Sequence, residues 1–408
     1  MGRISTAVGA FSAVFLMTLT SCSQPAQDGS KLDGHYENAT ANKLNSLAGT
    51  FRAVAEYEPS QGVIISLPLI ETYNKTDFAA AIVNSDVDTL WITVPSTFTG
   101  NVQTSAVFAG LRQALGSKIS KVKLVRQQTP GSLTVWARDW SPQSSVNANG
   151  EIGLIDFNYY PNRDADDFTA QSMERLLDFD RVSVPVYNEG GNFMNTTAGH
   201  CLMTTRVTDA NMYADQQDDM ILDAEGVKHF YQIGAGCSEV TIFPRMPYEG
   251  TGHIDMWAKF LNDDTVIVSE LRDEVLNLYS NTYVNKARTV QTYLNTRARE
   301  IAAMGYKVIR MPTPGPVFVA NDTNGMFRSY TNSLTVNGSV IIPRYTTPAY
   351  AQHGDRNGQY FDAAFTTKYE REVTQIYQSI GYKPTWITTD DLIGNGGAVH
   401  CTTMQIAR

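Results

Sequence analysis

The sequence predicts an α/β protein in which ββαβ units repeat and close into a ring. Three observations carry that expectation. Five helix-period stretches recur along the chain, each is followed by a β-rich run, and four tight polar turns each lead into a branched apolar strand. Units of this kind cannot bury their apolar faces alone, so they pack around a common centre. An ordinary α/β or α+β domain, with chance similarity among its segments, stays open at this level.

The elements run in chain order. Residues 1–21 hold one cation, Arg3, and an apolar run over 7–19 that is short for a membrane span and reads as a signal peptide. Leu19-Thr20-Ser21-Cys22 resembles a bacterial lipoprotein cleavage box, which would make Cys22 the lipidated first residue of the mature chain. Ordinary secretion with Cys22 discarded is the alternative. Residues 22–48 are polar and rich in small residues, a tether. No Pro- or Gly-rich linker divides the remainder of the chain, so 49–408 reads as one domain.

Helical periodicity marks 104–115, 166–179, 209–230, 284–305 and 362–381. The last places Phe365, Tyr369, Val373, Ile376, Tyr377 and Ile380 on one face and stops at Gly381. The polar middle of 209–230 could break that helix. A β-rich run comes after each one: "KVKLVRQQ" and "VWARDW", "RVSVPVYNEGGNF", "EVTIFPRMPYEGTGHIDMW", "YKVIRMPTP", and "YKPTWITTDDLIGNGGAVHC". "NANGEIGLIDF", "NTTAGHCLMTTRV", "LNDDTVIVSEL" and "TVNGSVIIPRY" read as hairpins.

The charge is −9, from 32 basic and 41 acidic residues, which disfavours a nucleic-acid partner and suits a cationic substrate. After Cys22 the cysteines are Cys201, Cys237 and Cys401. An odd count outside the cytoplasm suggests one free thiol: a Cys201–Cys237 bridge, or two inert thiols, with Cys401 unpaired.

Three motifs carry useful chemistry. In "TGHIDMW", His253 and Asp255 are two apart, so on a strand they share a face. In "VWARDWSP", Asp139 sits between a β-rich run and a turn, and Cys401 comes after a Gly-rich turn. His400 is adjacent to Cys401 and on a strand would face away, so the base for Cys401 is expected to be His253. A metal site of His253, Asp255 and Cys401 is disfavoured, because no His-Glu-x-x-His or Cys-x-x-Cys accompanies it. The local sequence of a papain-like thiol protease is also absent.

Taken in order, "ARD", "EGGNF", "GHIDMW", "SYTNSLTVN" and "GNGGAVHCTT" resemble the agmatine deiminase and bacterial peptidylarginine deiminase family, guanidine-modifying enzymes of the pentein fold. The resemblance runs from about Arg52 to the C-terminus. It implies a fivefold pseudo-symmetric α/β propeller with the terminal cysteine strand in its last unit, facing the central channel. It also implies a deiminase that turns a guanidino group into a ureido group and ammonia, with no metal or organic cofactor. Cys401 would be the nucleophile, passing through a covalent thiouronium, and His253 the general acid and base. Asp139 and Asp255 would grip the guanidinium, with Asn332 and Glu189 as supporting contacts. Arg163, in "NYYPNRDADDF", stands where the peptidylarginine branch clamps a carboxylate; pairing with Asp164, Asp166 or Asp167 is its other reading. Export favours peptidylarginine over agmatine as substrate, and a lipid anchor on the bacterial envelope is expected. A surface lipoprotein that only binds arginine-containing ligands is a further alternative.

Overall fold

A computed structural model describes residues 44, 46–212, 222–318, 323–346 and 363–408, the side chains of 363–365 excepted. The first strand is the short β1 (Phe51–Ala53), and the first unit follows it: β2 (Ser60–Ser66), α1 (Thr76–Asn84), β3 (Thr89–Val94), α2 (Ala109–Leu115) and β4 (Val122–Arg126). β2, β3 and β4 are parallel neighbours. Parallel strands covered on both faces need continuous apolar runs. Val63, Ile65, Leu90 and Ile92 accordingly pack with Phe78, Ile82 and Phe108, while Ile64 and Trp91 point the other way, to Trp140, Leu154 and Met173. The expected helix at 104–115 starts as a 3-10 turn, and α1 went unread because its "TDFAAAIVN" is nearly all apolar on a short span.

Four further units share one plan, an antiparallel hairpin whose second strand pairs in parallel, across a helix, with a third. They are β5 (Gln143–Asn147), β6 (Ile152–Asn158), α3 (Thr169–Leu177) and β7 (Arg181–Tyr187); β8 (Met194–Asn195), β9 (His200–Thr204), α4 (Ala224–Gly234) and β10 (Glu239–Phe243); β11 (Ala258–Phe260), β12 (Thr265–Glu270), α5 (Val284–Ala303) and β13 (Lys307–Pro312). After the short pair β14 (Val317–Phe318) and β15 (Gly325–Met326) come β16 (Leu334–Val336), β17 (Ser339–Arg344), α6 (Ala363–Ser379) and β18 (Lys383–Thr388). All four expected hairpins are present. The β16–β17 turn shows why: Asn337 and Gly338 both hold positive φ, as a two-residue hairpin turn requires. On α6, Tyr369, Val373 and Tyr377 are buried as the periodicity expects, and the Phe365 side chain lies outside the described residues.

Three expectations are corrected. The 209–230 stretch forms separate helices, Arg206–Met212 and α4, and residues 213–221 lie outside the described part. "VWARDW" is a single helical turn, Ala137–Trp140, rather than a strand, because the chain must turn into Ser-Pro there. The last strand, β19 (Met404–Ala407), joins the first unit by pairing antiparallel with β2, not the last one. Its Met404 and Ile406 fill the apolar side of β2 that faces Trp140.

Hydrogen bonds link the sheets in a closed cycle. Ala407 N–H donates to Ser144 (3.0 Å), Ala53 N–H to Ala235 O (2.8 Å) and Thr197 N–H to Asp263 (2.8 Å). The Ser269 and Thr331 hydroxyls meet at 3.4 Å, and Ser60 N–H donates to Asn337 (2.9 Å), which returns the cycle to β2. Among the described residues no helix is long and apolar enough to cross a membrane.

Candidate active site

Cys401 sits on a one-turn 3-10 helix, His400–Thr402, that delivers the chain into β19. The glycines before it permit a close approach. A Cβ on Gly397 would lie 2.6 Å from the Trp136 ring and 2.7 Å from the Cys401 Cβ. Asn332 holds this loop: its Oδ1 accepts the N–H groups of Ala398 and His400, each at 3.1 Å. Its Nδ2 donates to Cys401 Sγ and to Asp255 Oδ2, each at 3.0 Å.

His253 leaves a turn built by Glu249, whose carboxylate accepts the N–H groups of Thr251 and Gly252 while the Thr251 hydroxyl accepts that of His253. Its Nε2 meets Glu189 Oε2 at 2.9 Å, and Arg206 Nε donates to that same oxygen at 2.7 Å. The Tyr160 hydroxyl donates to the other Glu189 oxygen. Asp139 rides on the helical turn Ala137–Trp140, accepts the Gly191 N–H at 3.0 Å, and stands 3.8 Å from His253 Nδ1. Asp255 lies on the 3-10 turn Ile254–Met256, with Oδ2 3.5 Å from Cys401 Sγ. His253 and Asp255 thus converge across a tight turn, not by alternation on a strand.

The convergence point can be located. A Cβ on Gly191 would fall 2.7 Å from His253 Nδ1 and 3.0 Å from both Asp139 Oδ1 and Asp255 Oδ2. Gly191 therefore leaves room where an imidazole and two carboxylates meet. Among the described residues, His253 Nδ1 and Asp255 Oδ1 are buried without a protein hydrogen-bond partner. Buried polar atoms are rarely left so, and a ligand with several N–H donors would satisfy a bare carboxylate oxygen.

Electrostatics sort the roles. Burial raises Asp139 to about 7, against the pull of His253. Burial also disfavours a charged His253, but Glu189 and Asp139 outweigh it and hold the imidazole up at about 10. Burial works against Glu189 as well, yet His253 and Arg206 keep its carboxyl below the usual range. Burial, then the Asp255 and Asp139 carboxylates, push the Cys401 thiol well above its ordinary value. A cation bound between those carboxylates would reverse their sign at the sulfur.

Cys401, His253, Asp255, Asp139, Asn332 and Glu189 are thus brought together. Arg163 is not. Its guanidinium pairs with Asp166, which is fully buried and also accepts the Thr134 N–H, and it donates to Ser132 O. The carboxylate clamp is corrected to an internal ion pair: a buried carboxylate demands a cation, and Arg163 supplies it. His400 also differs from expectation. On a 3-10 turn it does not face away; its Nδ1 meets Asp255 Oδ2 at 2.7 Å and its Nε2 meets Glu56 Oε2 at 2.8 Å. Sequence reasoning missed Glu56, Lys259 and Arg138, all around this histidine. Lys259 Nζ donates to Glu56 at 2.6 Å, and the buried Arg138 guanidinium donates to His400 O. Charged residues in otherwise apolar strand contexts, "MWAKF" and "AVAEY", were the available signal. Cys201 and Cys237 form a disulfide and leave Cys401 the one free cysteine among the described residues. Cys22 lies outside them.

Known proteins share this fold. The agmatine deiminase of Enterococcus faecalis superposes with a TM-score of 0.64 at 18% identity, covering 88% of this chain and 96% of that one. A substrate-bound agmatine deiminase of C. jejuni gives 0.63 at 15%, with the same coverage. These likenesses establish the pentein α/β fold. In sequence, a provisionally named agmatine deiminase of Shewanella baltica is 26% identical over 350 residues, 74% of this chain and 85% of that protein. One from Photobacterium profundum is 23% identical over 388 residues, 88% and 96% of the two. Residues 52–407 match the family described as Porphyromonas-type peptidyl-arginine deiminase. That span contains the cysteine-bearing turn, both carboxylates and the Glu189–His253 pair, and the chain belongs to that family.

Proposed function

We propose that this protein hydrolyses a small free guanidino amine of the agmatine type, releasing ammonia and leaving a ureido product. The coarser statement, a hydrolase acting on guanidino carbon–nitrogen bonds, comes from the family. The observation that carries the proposal is the convergence of His253, Asp139 and Asp255 on the space left by Gly191, with Cys401 Sγ 3.5 Å from Asp255 Oδ2. Two carboxylates match the paired N–H donors of a guanidinium and hold its carbon for attack, which makes the step effectively unimolecular.

In this reading the bound cation lets the Cys401 thiol lose its proton to water, the thiolate sulfur bonds to the guanidinium carbon, and His253, held as imidazolium by Glu189, gives its proton to the amino group as the carbon–nitrogen bond breaks and ammonia departs. The covalent thiouronium remains. Neutral His253 then takes one proton from water, whose oxygen bonds to the same carbon; the carbon–sulfur bond breaks as the ureido carbonyl forms, and the remaining hydroxyl proton goes to the departing sulfur.

Two things support a free amine over a peptide. Arg163 is engaged by Asp166, and the relatives named above carry the agmatine name. The peptidyl-arginine description of the family favours the second reading. Ureido product measured on agmatine, on peptides ending in arginine and on peptides with internal arginine separates them. Agmatine should give the highest kcat/KM. A preference for either peptide would overturn the free-amine reading, and product from none of the three would leave arginine-ligand binding without turnover. Residues 1–21 lead us to place the activity outside the cytoplasm, with Cys22 as a lipid anchor.

A further inference from the structure

Asp255 is the carboxylate on which guanidinium capture depends, and it is held in an unsymmetrical way. Its Oδ2 receives His400 Nδ1 at 2.7 Å and Asn332 Nδ2 at 3.0 Å, while its Oδ1 has no protein partner among the described residues. His400 does not end there. Its Nε2 meets Glu56 Oε2 at 2.8 Å, and Glu56 is itself fixed by Lys259 Nζ (2.6 and 2.7 Å) and by the N–H and hydroxyl of Thr335 (3.1 and 2.8 Å). His400, Asp255 and Lys259 are all buried.

We propose that His400 is the positioning residue that fixes the Asp255 carboxylate for guanidinium capture, acting through a buried Asp255–His400–Glu56 bridge. The terminal torsion of an aspartate is broad, so nothing local decides which oxygen faces the ligand. Two donors on Oδ2 decide it. They pin that oxygen at the edge of the space at Gly191, 3.5 Å from Cys401 Sγ, and leave Oδ1 without a protein partner and able to accept from a ligand. Both carboxylates are held below their usual range. Burial opposes this in each; hydrogen bonding and charge from His400 outweigh it at Asp255, and the charges of Lys259 and His400 outweigh it at Glu56. A ring N–H that donates to either carboxylate meets an ionised acceptor, which makes that bond of the stronger, charge-assisted kind. The bridge also spans the chain: Glu56 precedes β2 and His400 precedes β19, and these two strands pair. The orientation of the cradle is thereby tied to the closure of the sheet cycle.

This inference deepens the guanidino-hydrolase reading, and its test does not require turnover. Chloroacetamidine and chloroacetamide differ chiefly in that the first is a cation. Each alkylates a thiol with formation of a carbon–sulfur bond, departure of chloride and loss of the thiol proton to water. Second-order labelling rates of Cys401 in the full chain are measured with both, for the wild type and for His400→Ala, His400→Asn and Glu56→Gln, with thermal unfolding as the check on folding. The wild type should prefer the amidine. His400→Ala should cut that preference by about tenfold or more, the worth of one charge-assisted hydrogen bond, and leave the amide rate nearly unchanged. His400→Asn, which keeps a donor toward Asp255, should restore most of the preference, and Glu56→Gln should lie between. An equal slowing with both reagents, or an unchanged preference in a folded His400→Ala, would overturn the proposal. Should His400→Ala fail to fold, a folded Glu56→Gln with full preference overturns the bridge and a reduced one supports it. Wild-type turnover of agmatine is assayed in parallel. Its absence beside an intact, His400-dependent preference would remove the substrate reading and keep the bridge.

Discussion

Gly191 tolerates no added atom. Its missing side chain is the space on which His253, Asp139 and Asp255 converge, and a methyl group there would sit 2.7 Å from His253 Nδ1. Gly191→Ala should lower kcat/KM by about a hundredfold, the scale of a misplacement near 1 Å, while unfolding at nearly the wild-type temperature. Wild-type kinetics would mean that the reacting carbon binds elsewhere. A pH profile tests the neighbouring pair. Asp139 must be ionised to hold a cation, so kcat/KM should rise with pH through about 7. His253 must be protonated to serve as acid, so activity should fall as pH climbs through about 10. Glu189→Gln removes the carboxylate that raises the imidazole, and the alkaline limb should move down toward the ordinary value of about 6.5. An unmoved limb would give the acid role to another group. The chemical residues themselves were legible from sequence because each sits in an unusual motif. His400 departs from the strand expectation because its backbone is a 3-10 turn, on which neighbouring side chains no longer oppose.

At the scale of elements, the Cys201–Cys237 bridge ties the start of β9 to the residue pair just before β10, parallel strands joined through α4. A crosslink across 36 residues restricts the unfolded chain by about 4 kcal/mol, and for a protein this large that corresponds to roughly 5 °C in Tm. Cys201→Ala with Cys237→Ala should show that loss in a thermal melt and keep most of the turnover, since neither sulfur touches the catalytic groups. Loss of turnover at temperatures where the variant is folded would contradict this. The hairpins were readable because local chemistry fixes them: Asn337 and Gly338 adopt positive φ whatever surrounds them. The place of β19 was not readable. "MQIA" carries no signal for its partner, and only the apolar surface of β2 opposite Trp140 selects it. α1 was missed for a related reason: Phe78, Ile82 and Val83 are all buried, and a helix covered nearly all round loses the period that marks it.

For the molecule as a whole, the closed cycle of sheets explains how Cys401, so near the end of the sequence, is held in place. Cys401 is three residues from β19, whose pairing with β2 and hydrogen bond to Ser144 join the first and second units. Residues 397–407 are therefore as buried as the core, with Ile406 fully covered. The same scale raises the question of where the protein works. A disulfide survives in oxidising compartments and is uncommon in the cytosol, so the export we propose from residues 1–21 would place the Cys201–Cys237 bridge where it persists. Lipidation of Cys22 makes a sharper claim than export. A thioether-linked lipid, with a second acyl chain, holds a protein on a bilayer although no described helix could cross it. In a bacterial host, the wild-type chain should then fractionate with membranes, incorporate labelled fatty acid and begin at Cys22. Cys22→Ala should incorporate none, and should leave the membrane fraction or accumulate unprocessed. A mature wild-type protein that is soluble and lacks Cys22 would establish ordinary secretion instead, and retention of residues 1–21 in a cytosolic product would remove export altogether.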